Sequence, residues 1–179
     1  MPGMPKFELV VWPAGAIRNV WGDAVATRVD PTNAGLSIPR AFFGERYQAL
    51  LHPELLVHPR LGSLAVFGRT WGTDPIGVVP KTGEVVEARL QSDETYFVNS
   101  SLQQFTDTVR ATIEALPNYE DNSSDTQVRS AVHRLTNIIR DIDRSAIRRD
   151  QFWSTFVDDV QMGDFYTERM PELWAITRG

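Results

Sequence analysis

The sequence predicts an α+β fold, in which a mostly antiparallel β-sheet of about four to six strands is packed by helices. Between Leu61 and Asn99, short apolar runs rich in β-branched and aromatic residues are separated by Gly, Pro and Asp, which is typical of strands and turns. On both sides of this region, apolar residues recur every three or four positions, which indicates helices. We therefore expect an N-terminal helix, a central sheet and a helical C-terminal third, within one domain spanning residues 1–179.

The N-terminal segment predicts a short apolar run at residues 7–12 and then one helix from about Ala16 to Val29. The apolar positions of that helix fall on one face: Ile17, Val20, Trp21, Ala24 and Val25. Residues 35–39 are expected to be extended, because the residue before Pro39 is disfavoured from the helical region. Phe42 and Phe43 follow as candidate core residues.

The central region predicts a meander of antiparallel strands. Its first strand covers 64–67, and a hairpin joins the strands 76–79 and 84–90. The hairpin turn begins with Pro80 and ends with Gly83, which fits a type I turn followed by a left-handed residue. A further strand covers 95–98. No connection is long enough for a crossover helix, so neighbouring strands must run antiparallel.

The C-terminal third predicts helices with clear capping signals. Ser100 with Gln103, or Ser101 with Gln104, could form a reciprocal cap. The first helix has an apolar stripe of Leu102, Phe105, Val109, Ile113 and Leu116 and stops before Pro117, and a polar linker follows at 118–124. A longer stripe of Val128, Val132, Leu135, Ile139, Ile142 and Ala146 is followed by an apolar face of Phe152, Phe156, Val157 and Val160. Residues 125–161 could form one helix or two.

The composition argues against catalysis. There is no cysteine, which excludes disulfides, thiolate metal sites and cysteine nucleophiles. Of the three histidines, His52 and His58 are each followed by proline and are expected in loops, while His133 is expected at the helix surface. No nucleotide-binding, hydrolase or zinc-protease motif is present. We expect no catalytic residue, metal ligand or cofactor, although an enzyme using only Asp and Arg side chains remains an alternative.

Charge and hydropathy indicate the class of partner. The formal net charge is −5, which disfavours direct binding of nucleic acid because that affinity depends on basic residues that neutralise phosphates. All basic residues except Lys6 and Lys81 are arginines, which suits a protein interface and is also what a GC-rich genome produces. No apolar stretch approaches the roughly 20 residues that span a bilayer. We expect a cytoplasmic protein with no membrane partner.

The loop from Arg69 to Asp74 is the first candidate binding surface. It places Trp71 between an arginine and an aspartate in a glycine-containing loop, and this is the composition of an interaction hot spot. The alternative is that Trp71 folds back over the sheet as a lid.

The acidic C-terminal segment is the second candidate surface. It includes Asp158, Asp159 and Asp164, with Tyr166 nearby, and it follows an arginine-rich helical stretch. Acidic and aromatic residues together could attract a basic partner. Helix-dipole pairing between neighbouring segments would explain the same pattern.

The order of these pieces resembles the SUKH superfamily, and most closely the fourth SUKH immunity-protein family. The resemblance rests on the strand at 64–68, the hairpin at 81–86 and above all the strand-to-helix junction from Phe97 to Phe105. The extended segment at 35–39 and the stretch from Phe152 to Gly163 extend it over about residues 35–165.

The resemblance implies an α+β fold and a non-enzymatic immunity protein of a polymorphic toxin system, with no catalytic residues. Such a protein would bind and block a cognate toxin domain, often a nuclease or nucleic-acid deaminase. A toxin that acts on nucleic acid tends to be basic, which would complement a chain of charge −5. The alternative is a SUKH-type scaffold that recruits partners without inhibiting them.

Overall fold

Two antiparallel sheets and five helices make up the described part of the chain, which confirms the predicted α+β class. The computed structural model describes residues 7–43, 46–116, 119–120 and 122–163. Its elements, in chain order, are β1 (Leu9–Trp12), α1 (Ala14–Trp21), α2 (Asp23–Val29), β2 (Leu36–Pro39), β3 (Ala41–Phe42), β4 (Tyr47–His58), β5 (Gly62–Thr70), β6 (Asp74–Val78), β7 (Val85–Ala88), β8 (Thr95–Asn99), α3 (Leu102–Ala115), α4 (Asp125–Ile142) and α5 (Phe152–Gln161).

The larger sheet is the predicted meander. Its six strands lie in the order β3-β4-β5-β6-β7-β8, and each is antiparallel to its neighbours. The predicted hairpin joins β6 to β7, with Gly83 at a φ of 83° where the left-handed residue was expected. Strands β1 and β2 form a separate two-stranded sheet.

The helices pack on one face of the large sheet. Side chains alternate between faces along a strand, so Phe67 and Ile76 join a core with Phe105, Leu135 and Trp153 from the helices. The opposite face carries a smaller apolar cluster of Leu64, Val66, Val79, Val86 and Ala88. Phe42 and Phe43 are buried in the main core, as predicted.

The predicted helix from Ala16 to Val29 is wrong as a single element. Gly22 interrupts it with a φ of 82°, and α1 and α2 lie on either side. A left-handed backbone ends a helix, and glycine adopts it without steric cost. The apolar stripe remained periodic through the break, which is why the pattern alone predicted continuity.

Strand β4 was not predicted, and the assignment of His52 and His58 to loops is wrong because both lie on it. Its pairing with β5 shifts register between Ala49 and Glu54, and Pro53 lies within that stretch. The bulge breaks the alternation of apolar and polar residues by which strands are recognised. His52 is exposed, whereas His58 is buried.

The structure selects Ser101 rather than Ser100 as the cap of the first C-terminal helix, has a capping box at α4 that was not predicted, and decides whether residues 125–161 form one helix or two. Ser101 caps α3 by accepting a hydrogen bond from the Gln104 backbone N–H, and Ser124 forms a capping box with Gln127 at the start of α4. Residues 125–161 form two helices, because α4 ends at Ile142 and Ala146, which was predicted on its stripe, lies in the following turn. None of the helices within the described ranges is long and apolar enough to cross a membrane.

A buried polar network fixes α5 against the sheet. The Asp143 carboxylate accepts hydrogen bonds from the Ser100 backbone N–H at 2.6 Å and from Asn99 Nδ2 at 3.2 Å. Asn99 Oδ1 in turn accepts from Trp153 Nε1 at 2.9 Å. Because buried polar groups are costly when unpaired, this network holds β8, α4 and α5 in one arrangement. It thereby positions the acidic end of α5.

Candidate functional site

Arg46, which directly precedes β4, links the two predicted surfaces. It is 5% exposed, and its guanidinium pairs with the carboxylate of Asp159 on α5. The guanidinium carbon lies 5.0 Å from the ring centroid of Trp71 and 5.2 Å from that of Phe156. These four residues, Arg46, Trp71, Phe156 and Asp159, are called the Arg46 cluster below. The loop after β5 and the acidic helix therefore meet at one place.

Trp71 is the exposed member of the Arg46 cluster. Its side chain is 47% exposed, and its backbone has a φ of 51° in the turn between β5 and β6. A positive φ is strained for a bulky residue, and such strain concentrates at functional positions. The turn keeps this conformation with a hydrogen bond from the Thr73 N–H to the Thr70 carbonyl at 3.1 Å. The indole is thus presented to solvent in a fixed position beside a buried cation.

Asp74 faces the protein and not solvent. It is 8% exposed, and its carboxylate accepts hydrogen bonds from Arg89 Nη1 at 2.8 Å and from the Leu90 N–H at 3.2 Å. These bonds connect the start of β6 to the end of β7. Asp74 therefore holds the Trp71 loop in place.

Arg69 is paired with its neighbour on β4. Its guanidinium lies 2.5 Å from a carboxylate oxygen of Glu54, and its side chain is 28% exposed. An exposed pair of this kind contributes little to stability, on the order of 0–1 kcal/mol. Arg69 therefore remains available to a partner at the side of the loop.

Glu87 is a second buried charged group whose electrostatics are coupled to Arg46. It is 3% exposed, and one carboxylate oxygen accepts a hydrogen bond from the Thr70 hydroxyl at 2.5 Å and lies 3.7 Å from Arg89. Burial raises the pKa of Glu87, although the Thr70 hydrogen bond and the charges of Arg89 and Arg46 oppose the shift. Glu87 thus connects Thr70, at the end of β5, to Arg89 beyond β7.

The acidic segment contributes one half-buried and one exposed carboxylate to the described structure. Asp159 is half-buried against Arg46, whereas Asp158 is exposed, because neighbouring helical residues point about 100° apart. The predicted site residues Asp164 and Tyr166 lie outside the described residues.

Sequence reasoning missed Arg46 and Glu87. Arg46 and Asp159 are 113 positions apart, so no local spacing could pair them. Glu87 lies in a strand with the apolar residues Val85 and Val86. A charged residue in such an apolar strand was the signal that could have identified it. Within the described ranges, no group of three or more His, Asp or Glu side chains could hold a metal ion.

One comparison with known proteins gives a match. The family model described as SUKH-4 immunity protein matches residues 45–159, which is more than half of the chain. Neither the curated proteins nor the solved structures give a match. The matched range includes all four residues of the Arg46 cluster.

Proposed function

Because the chain belongs to the SUKH-4 immunity protein family, we propose that it neutralises a cognate toxin by binding it, with the Arg46 cluster at the centre of the contact. The observation that carries the proposal is the strained, half-exposed Trp71 held over a buried ion pair. Proteins of this family are generally non-enzymatic, and the proposal requires no catalytic residue, metal or cofactor.

Trp71 has the properties of a binding anchor. A tryptophan buries about 150–250 Å² in an interface, so the 47% that is still exposed corresponds to roughly 100 Å². At about 25 cal/mol per Å², covering this surface contributes about 2.5 kcal/mol. Hot-spot residues contribute about 2 kcal/mol or more, so one side chain of this kind can dominate an interface. The fixed backbone lowers the entropy lost on binding.

The charges around Trp71 favour a basic toxin surface. Asp158 is exposed beside the Arg46 cluster, and the proposed contact continues through Asp164 and Tyr166. Arg69 borders the loop and would meet an acidic or carbonyl group of the toxin, while Asp74 supports the loop from inside. Electrostatic complementarity of this kind accelerates association.

The proposed toxin class is an enzyme that acts on nucleic acid, such as a nuclease or a deaminase. Such an enzyme carries a basic substrate surface, which an acidic inhibitor can cover. The immunity protein would then act in the cytoplasm, where the toxin meets its substrate, and it would contact neither nucleic acid nor membrane.

Survival on co-expression tests this function. The chain is expressed with the toxin encoded beside its gene, and cell survival is compared between the wild type and Trp71→Ala. Leu51→Ala is the control, since Leu51 is 76% exposed and lies outside the Arg46 cluster. We expect the wild type and the control to protect and Trp71→Ala to protect less. Failure of the wild type to protect would exclude neutralisation, and binding without protection would indicate a scaffold.

A further inference from the structure

The turn between β7 and β8 lies at the same end of the large sheet as the Trp71 loop. In an antiparallel meander, consecutive turns lie at alternate ends, so the turns after β5 and β7 share one end. The turn after β6 lies at the other end. The Arg89 N–H donates to the Glu94 carbonyl at 2.8 Å and closes the turn after β7. Residues 90–94 are called the β7–β8 turn below.

The charged and aromatic side chains at this end share one face of the sheet. Ile76 lies opposite Glu87, and Glu87 lies opposite Tyr96. Directly opposed residues of antiparallel strands point to the same face, and Ile76 belongs to the core that the helices cover. Asp74 precedes Ile76 by two residues in β6 and points to this face as well. Tyr96 and the base of the Trp71 loop are therefore on one face.

Arg89 connects the Trp71 loop to Tyr96. Its guanidinium donates to the Asp74 carboxylate at 2.8 Å, and its guanidinium carbon lies 5.3 Å from the ring centroid of Tyr96. The Tyr96 hydroxyl donates to the Glu94 carboxylate at 3.1 Å. These contacts hold the tyrosine ring and the β7–β8 turn against the loop. Binding a partner here would therefore cost little side-chain entropy.

Two arginine–aromatic pairs interact with the same buried carboxylate, that of Glu87. Arg46 contacts Trp71 in the first pair, and the second pair is Arg89 with Tyr96. Burial raises the pKa of Glu87, and the charges of Arg89 and Arg46 oppose this rise, so both cations act on its carboxylate. Trp, Tyr and Arg are the residue types enriched in binding hot spots. The second pair thus repeats the composition of the Arg46 cluster.

The second pair and the β7–β8 turn are accessible to a partner. The Arg89 side chain is 36% exposed, Tyr96 is partly exposed and Glu94 is exposed. The β7–β8 turn contains Asp93 and Glu94 and no basic residue. An aromatic ring with carboxylates at its margin is complementary to a basic protein surface.

Both aromatic side chains fit within one interface. Strands β5 and β8 are separated by three strand spacings, about 14 Å. A standard interface buries about 800 Å² on each partner, which corresponds to a disc about 32 Å across. A toxin centred on Trp71 can therefore cover Tyr96 at the same time.

We propose that the toxin contact extends from Trp71 across Arg89 to Tyr96, where the tyrosine ring is a second anchor and the Glu94 carboxylate pairs with a basic side chain of the toxin. This extension rests on the proposed function, since it assigns the part of the same contact that recognises the charge of the partner. Trp71 contributes apolar binding energy, and the β7–β8 turn selects a basic partner over a neutral or acidic one.

Calorimetric titration with the purified toxin domain encoded beside the gene tests the second anchor. Tyr96→Thr removes the ring and keeps a residue that favours strands, and we expect at least a tenfold loss of affinity. Tyr96→Phe keeps the ring and should lose less than threefold. Unchanged affinity of Tyr96→Thr beside a weakened Trp71→Ala would overturn the extension and leave the proposed function standing. No binding by the wild type would overturn both.

A matched pair of substitutions tests the charge of the turn. Glu94 and Glu84 each accept a hydrogen bond from a hydroxyl two residues earlier, at 3.1 Å in both cases, and Glu84 lies at the other end of the sheet. Glu94→Gln should slow association with the toxin at least threefold at low salt, and the difference should shrink as salt is added. Glu84→Gln should associate like the wild type. Equal association rates of the two variants would overturn the pairing of Glu94 with a basic side chain.

A cysteine footprint locates the contact without altering Tyr96. The chain has no cysteine, so Ser92→Cys and Thr82→Cys each carry a single thiol. Ser92 is exposed in the β7–β8 turn, and Thr82 is exposed in the turn at the other end of the sheet. Bound toxin should slow the reaction of Ser92→Cys with a maleimide at least tenfold and leave that of Thr82→Cys unchanged. Equal reaction of Ser92→Cys in the free protein and in the complex would overturn the proposal.

Discussion

The substitution Asp159→Asn tests whether the Arg46 cluster depends on the charge of Asp159. It keeps the shape of the side chain and removes the negative charge that faces the Arg46 guanidinium, whose side chain is 6% exposed. Breaking a buried pair by removing one partner typically costs about 3–5 kcal/mol, because the remaining charge is left uncompensated. Asp159 is 20% exposed, and the rings of Trp71 and Phe156 still contact the cation. We therefore expect a smaller loss in the free energy of unfolding, of about 2–3 kcal/mol.

The adjacent residue provides a matched control. Asp158→Asn makes the same chemical change on the exposed side of α5, so its free energy of unfolding should stay within about 0.5 kcal/mol of the wild type. Urea denaturation followed by circular dichroism measures both variants. For a chain of this size, a loss of about 2–3 kcal/mol corresponds to a fall in Tm of about 4–12 °C. Equal losses in the two variants would refute the view that the Arg46–Asp159 pair is a structural centre.

Three further predictions concern the groups around the Arg46 cluster. Burial raises the pKa of Glu87 above its ordinary value of 4.5, so its contribution to stability is present below pH 4.5 and is lost as the pH rises through the folded-state pKa. We therefore expect the free energy of unfolding of the wild type, minus that of Glu87→Gln, to decrease from pH 4.5 towards neutrality in urea titrations. An increase would contradict the upward direction of the Glu87 pKa shift. Trp71→Asn should keep the free energy of unfolding within about 1 kcal/mol of the wild type, because asparagine tolerates a positive φ. The same variant should still weaken toxin binding in a pull-down. Intact binding would show that Trp71 is not part of the proposed contact. Asp143→Ala should lower the free energy of unfolding by about 3 kcal/mol, since it leaves the Ser100 N–H without its acceptor and removes one of the two acceptors of Asn99 Nδ2. Thermal denaturation close to that of the wild type would contradict this role.

The parts of the fold that depend on local chemistry could be predicted from the sequence. The turn that ends at Gly83 identified a hairpin, and the pairing of Ser101 with Gln104 identified the start of α3. Both signals act within four residues, so no tertiary information is needed. The resemblance to SUKH immunity proteins depended on the same region, and the family match confirms it.

The parts that depend on distant contacts could not be predicted. Strand β4 is irregular because of its bulge. The break at Gly22 falls inside a sequence pattern whose apolar residues stay periodic, although Val20 and Ala24 of that pattern are exposed in the structure. The candidate surfaces around Trp71 and Asp159 were found separately, but the residue that joins them, Arg46, contacts both only in the folded chain. The type of a residue also does not predict its exposure. Asp74, for example, lies in a polar loop, yet its carboxylate faces inward because it accepts a hydrogen bond from Arg89.

Calorimetric titration of the purified cognate toxin domain with the immunity protein tests the central claim most directly. We predict a saturable complex with the wild type and an affinity weaker by at least about 30-fold for Trp71→Ala, since about 2 kcal/mol of binding energy corresponds to that factor. Asp158→Asn should weaken binding less and mainly through the association rate, as expected for an exposed charge near the contact. No binding by the wild type would contradict neutralisation by direct contact, and equal affinities of the wild type and Trp71→Ala would contradict the proposed centre of the interface.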